Sequence, residues 1–356
     1  MTERTKALLF DLFLFLAGLI SCQPLNTGEI TSVKPTLPLS VSLLIEREIQ
    51  EIPLVGPASQ SRAEISGMDW CGEDLVLLPQ YPGGYVGDGE ASVFVIPQDI
   101  LQDYFSGGLK DGITPGQIPF DTGGIEKSLS GFEGFESIIF NDTDFYVSIE
   151  ARQGDGMMGY LMKGAVGSDC SELVLDPDSV VSLPPQAEIE NMSHETLFIF
   201  EDKLYAIYEA NGMNVNPDPV AKVFDFSLNL DNAVAMPNIE YRITDATQPD
   251  EDGEFWAVNY FFPGEADELA PAVDRIALEY GIGASHQGAD PVERLIKFRI
   301  DNDEVVLVDR QPIYLELGED DSRNWEGIVR YRDGFLLVTD RFPTTIFAYV
   351  ALAPTH

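Results

Sequence analysis

Two carboxylates bracket the stretch NWEGIVRYRDGFLLVTDRFP, Glu326 near its start and Asp340 near its end, fourteen residues apart. The same spacing separates Glu136 from Glu150, Glu195 from Glu209, and Asp245 from Asn259, while Ser66 and Gln80 keep it with neutral groups. Carboxylates brought within a few ångströms raise one another's pKa values, and removal from water raises them further. Three arrangements relieve that repulsion: protonation, pairing with Arg or backbone N–H, or a bound cation. Donors of this kind suit Ca2+, which takes about 6 to 8 oxygen ligands at ~2.3–2.6 Å. No cluster of His and Cys points to zinc.

Such residues need elements that bring them together. Between each pair lie two short β-prone runs separated by a polar turn, the pattern of a β-hairpin. Five hairpins begin at Ser66, Glu136, Glu195, Asp245 and Glu326, at intervals of 70, 59, 50 and 81 residues. Each is followed by a further β-prone run, such as ASVFVIP, MGYLM, AKVFDF, RLIKFRI or TTIFAYVAL. Fourth runs follow in four units, among them SVVSLP from Ser179 and VVLVDRQPIYL from Val305. The fifth unit runs out of chain, and SVSLLIEREIQEIPL from Ser40 supplies its missing strand. The predicted fold is all-β, a propeller of five four-stranded blades (six is the alternative) whose last blade both termini close. In that fold the five starting positions ring one channel mouth, and their partners sit one strand farther out, about 5 Å away.

The predicted domains are a signal at 1–21, a tether at 22–39 and the propeller at 40–356, with a helical insertion near 264–290. The insertion carries Leu269, Val273, Ile276 and Leu278 at helical spacing. Arg4 and Lys6 precede the apolar run ALLFDLFLFLAGLI, which ends at LISC. That is the layout of a secretory signal, and its end resembles a bacterial lipobox with Cys22 as the acylated residue. The expectation is an exported chain held at the cell envelope by lipid alone, on the outer membrane where the cell has one. Cys71 and Cys170 then remain, in a compartment that permits disulfides. Both fall in turns expected on one face of neighbouring blades, so a bridge and two buried thiols are the alternatives. The net charge of −39 repels nucleic acid and anionic surfaces and attracts cations. The expected partner is a small molecule or envelope ligand, and the expected state a monomer.

The expected metal ligands are Glu136, Glu195, Asp245 and Glu326, with Glu150, Glu209, Asn259 and Asp340 behind them. Arg62, Arg152, Arg242, Arg323 and Arg341 lie near these positions in sequence and offer the competing solution, acids neutralised pairwise without metal. Both readings are open at this point. His194 is the expected general base, and Arg152 and Arg341 the expected grip on an anionic substrate. Tyr81, Tyr260, Phe261 and Trp325 wall the pocket or pack between blades. No G-x-S-x-G nucleophile motif is present.

The stretches NWEGIVRYRDGFLLVTDRF, GFEGFESIIFNDTDFYVSIEA and DGEFWAVNYFFPGE resemble blade motifs of the phytase-like (esterase-like) propeller domains. More distantly they resemble the calcium-dependent gluconolactonase and paraoxonase propellers. The resemblance implies a channel-mouth calcium whose ligands match Glu136, Glu195, Glu326, Asn259 and Asp340. It also implies a metal-dependent hydrolase of phosphoesters, esters or lactones. Blade one departs with Ser66 and Gln80, and the basic cluster that grips phytate has no counterpart here. The alternative function is a non-catalytic binding or scaffold lipoprotein in which the acidic ring is structural.

Overall fold

The computed structural model describes residues 42–84, 91–154, 156–318, 322–340 and 344–352. The expected signal, the tether, Cys22 and Arg341 lie outside these residues. Among the described residues no helix is long and apolar enough to cross a membrane.

The chain is all-β and propeller-like. Its five hairpins are all antiparallel: Ile65–Cys71 with Asp74–Pro79, Phe132–Asn141 with Asp144–Gln153, Thr196–Phe200 with Lys203–Ile207, Arg242–Ala246 with Glu254–Phe261, and Trp325–Tyr331 with Gly334–Thr339. Third strands follow at Ser92–Pro97, Gly156–Val166, Val220–Phe224, Val292–Asp301 and Phe347–Ala351. Gln50–Glu51 pairs with the last of these, Gln50 opposite Tyr349, so a strand from before the first hairpin completes the final unit. Parallel pairs between outer strands, Leu173 with Phe120 and Ala235 with Glu304, fuse the first two units and the next two into nine-stranded sheets. The outer position of the second unit is shared by two short strands, one of them in the segment after Ser179. Val181–Leu183 pairs with the same third strand as Leu173–Leu175.

Strand alternation decides which neighbour each unit packs against. In the first unit Leu75 and Leu77 join Val329, Leu336 and Val338 of the last unit, while Val76 and Leu78 join Phe135, Val147 and Ile149 of the second. Successive side chains point to opposite faces, and here both faces are covered. That is why DLVLLP reads as an apolar run and not as an alternating one. Trp256, Val258 and Leu295 of the fourth unit pack likewise on Ile328, Leu337 and Val350 of the last. The five first strands surround a cavity of about 70 Å³ lined by residues from each, among them Asp69, Ile138, Leu197, Asp245 and Ile328.

The expected helical insertion forms only short pieces, Pro263–Glu265, Ala266–Leu269 and Arg275–Tyr280. Pro271 stops the helix, because it lacks an N–H and disfavours the helical region for the residue before it. Ala270 takes a φ of 40°. The apolar positions therefore do not share one face: Leu269 and Ile276 are buried, and Val273 and Leu278 exposed. A disulfide joins Cys71 to Cys170, with Cα atoms 6.2 Å apart.

Candidate functional site

Ladder irregularities aim the carboxylates. Ser66, Glu136 and Glu326 each fall where their hairpin slips by one residue, between Ile65 and Gly67, Phe135 and Ser137, and Trp325 and Gly327. In the third hairpin Thr196 pairs with Ile207 and the Glu209 N–H donates to the Ser193 carbonyl, leaving His194 and Glu195 opposite Tyr208 alone. Two residues against one is a β-bulge, which bends the strand and redirects a side chain. The fourth hairpin bulges as the third does, with Thr244 and Asp245 opposite Val258 alone.

Arg242 sits at the centre of the acids. Its Nη2 lies 3.1 Å from Glu195 Oε1 and 3.2 Å from Oε2, and its Nε donates to Glu209. Nη1 reaches Glu265 at 3.4 Å, and Glu326 lies 3.9 Å from Nη2. Glu265 comes from the 3-10 turn that opens the insertion. It was missed in the sequence because it stands outside the fourteen-residue spacing; its place directly after the hairpin end FFPG was the available signal. Glu136 accepts from Gln80 Nε2 at 3.1 Å. Gly134 makes room for that contact, since a Cβ there would lie 2.2 Å from Gln80 Cγ.

One guanidinium cannot match so many acids. Burial, and then Glu150, Glu195 and Glu326, hold the Glu136 carboxyl well above the usual range. Burial and then Asp340 do the same to Glu326. Burial raises Glu209 against the opposing pull of Arg242. Glu150 is pushed up to about 8 by burial and Glu209, and Glu195 to about 7 by burial despite Arg242. Glu150, Glu195 and Glu209 are buried and each offers an oxygen within 4.8 Å of the others.

The structure thus brings together Glu136, Glu150, Glu195, Glu209, Glu326 and Asp340, and places two expected ligands elsewhere. Asp245 lies in the central cavity, where its Oδ2 accepts from the Ile328 N–H at 2.8 Å. Arg242 stands among the acids instead. Asn259 is tied to the Glu240 and Arg242 carbonyls and accepts from Arg294 Nε at 2.8 Å, inside a buried network with Asp274. His194 lies in the core. It is fully buried, packs edge-on against Tyr208 at 5.3 Å, and burial lowers its pKa to about 3. Arg152 is two-fifths exposed and paired with Glu133, and Arg341 lies outside the described residues. Arg323 pairs with Glu293. Of the expected wall residues Tyr260, Phe261 and Trp325 are buried, Trp325 donating to Glu293, and Tyr81 is exposed.

Hydroxyls also join neighbouring units. Ser66 donates to the Phe135 carbonyl at 2.6 Å, Thr196 to that of Ile243, and Thr244 to that of Trp325.

No family model matches the chain, and no curated protein matches it. Solved structures are similar in outline. A glycosyl hydrolase from Bacteroides ovatus has a TM-score of 0.45 at 10% identity, over 85% of this chain and 92% of that one. A member of the GH130 family of mannoside phosphorylases and glycoside hydrolases has 0.46 at 11%, over 82% and 84%. An α-L-arabinanase mutant of Cellvibrio cellulosa has 0.42 at 9%, over 81% and 90%. These are not phytase-like, gluconolactonase or paraoxonase propellers, so the family expected from the blade motifs is corrected. At such identities and scores the likeness extends to neither substrate nor catalytic residues.

Proposed function

We propose that the chain is a five-bladed propeller, each hairpin-led unit counting as one blade, whose acidic mouth hydrolyses an uncharged substrate by carboxylate acid–base chemistry. The observation that carries this is the set of buried acids around Arg242, raised by burial and mutual repulsion. Such groups hold their protons to higher pH than free carboxyls do and can donate them. Glu136 gives its proton to the leaving oxygen as the bond between that oxygen and the substrate carbon breaks. Water forms the new bond to that carbon, and its proton passes to the ionised member of the Glu326–Asp340 pair, which repulsion keeps from carrying two charges. A glycosidic bond is the reaction class that suits two carboxyl groups without a serine nucleophile. The charge of −39 opposes phosphoesters, and no Arg pair stands at the mouth to grip one among the described residues. We further propose that Cys22 tethers the propeller to the cell envelope.

The test is a panel of neutral glycosides, esters, lactones and phosphoesters. Glycoside hydrolysis is expected, with kcat falling about 100-fold or more in Glu136→Gln and Asp340→Asn. A hydrolysis that both variants retain removes this reading. A second reading, a non-catalytic binding platform, is favoured by the Arg242 clamp, which already occupies Glu195 and Glu209. Glycan binding without turnover by the unsubstituted protein is its signature.

A further inference from the structure

Glu150, Glu195 and Glu209 form a buried trio with oxygens no more than 4.8 Å apart. A second observation concerns Glu150 alone: its Oε1 is buried without a hydrogen-bond partner among the described residues. The residue is only 4% exposed, so water does not serve it freely. Buried polar atoms in folded chains normally have partners, and an exception asks for an explanation such as an ion. Glu209 differs, with Oε1 on the Ser193 N–H and Oε2 on Arg242.

We propose that the trio holds a hard divalent cation, calcium by ligand chemistry, and that Glu150 Oε1 is aimed at it. The donors are all oxygens, and their spacing is one that Ca–O distances of ~2.3–2.6 Å can bridge. A softer metal would want imidazole or thiolate, and the histidine adjoining Glu195 is buried against Tyr208. Arg242 supplies one positive charge among Glu195, Glu209, Glu265 and Glu326. A divalent ion adds two where the charge is densest. The ligand set differs from the one the repeat spacing predicts. It joins one acid of the second hairpin to two of the third, and excludes Asp245 and Asn259. The inference goes beyond the hydrolytic reading, since the ion belongs to the floor of the mouth whether or not the rim turns over a substrate.

The experiment is equilibrium dialysis of chelator-stripped protein against calcium alone, paired with melting curves in calcium and in NaCl of equal ionic strength. One calcium per chain is expected, with a Tm rise that NaCl does not give. Glu150→Gln is expected to bind roughly tenfold more weakly or worse and to lose most of that rise. Without metal it should melt no lower than the stripped parent, because the amide keeps the side chain's shape and carries no charge. Glu150→Asp, which keeps the charge and shortens the reach, serves as the second variant with the same expected loss of affinity. No stoichiometric binding by the parent overturns the proposal, as does parental affinity in both variants. Neither result depends on turnover, so failure here is separate from failure of the hydrolase reading.

Discussion

Arg242 and Glu195 meet through a single nitrogen: Nη2 lies 3.1 Å from one carboxylate oxygen and 3.2 Å from the other. The two residues belong to different hairpins, and Nε of the same guanidinium donates to Glu209 on the strand after Glu195. One cation therefore ties the third unit to the fourth where the acids are most crowded.

Removing that cation should be costly. Arg242→Met leaves Glu195 and Glu209 buried and unmatched, and breaking such a pair typically costs about 3–5 kcal/mol. Arg242→Lys should recover less than half, because an ammonium cannot reproduce the planar fork that serves both acids. Urea unfolding measures both. A loss below about 1 kcal/mol in Arg242→Met, the range of an exposed pair, contradicts this account.

Stability should depend on pH with a definite sign. Burial raises the Asp69 carboxyl to about 7, against ~3.9 in an unfolded chain. The folded state then holds the proton more tightly. Its contribution is complete below the unfolded value and is lost as pH rises toward 7. Glu150 and Glu195, raised to about 8 and about 7, act in the same direction. The Tm of metal-free protein should fall between about pH 5 and 8. Asp69→Asn should flatten part of that slope, since its amide oxygen can still accept the Phe140 N–H that Asp69 Oδ2 receives at 2.9 Å. A Tm that climbs over this interval is the opposite outcome.

The Cys71–Cys170 bridge closes a sequence separation of 99. Restricting a loop of that size destabilises the unfolded chain by about 4–5 kcal/mol on the chain-entropy argument. Replacing both cysteines by Ala should lower the unfolding free energy by about 2–5 kcal/mol. Equal urea midpoints for the oxidised and reduced protein would show that the bridge restrains nothing that unfolding releases.

The anchor expected at Cys22 has its own test. Cys22→Ser should abolish labelling by a fatty-acid probe and leave an unprocessed precursor on a gel. Processing that continues unchanged in the variant counts against lipidation.

Hairpin register was legible because it is local. Apolar runs flanking short polar turns determine which residues pair, and the fourteen-residue spacing is the footprint of five such hairpins. The completing strand was legible too, in that Gln50–Glu51 lies in the segment the last unit lacked. What the spacing could not register was the bulge. Each hairpin holds an extra residue here, so even spacing does not say which side chain meets the acids: Asp245 lies in the central cavity and Arg242 stands among them. A slip of one residue exchanges the faces of a strand, and nothing in the residue types of ITDATQ announces it. The insertion failed as one helix through Pro271, a signal present in the sequence that the spacing of Leu269 and Ile276 outweighed. Burial decided the rest. His194 stands beside Glu195 in sequence yet lies in the core, and Glu265 reaches Arg242 from beyond the hairpin. Sequence distributes charge along a line. The pairing of those charges, and which of them remain unmatched, depends on distances that only the closed arrangement of sheets creates.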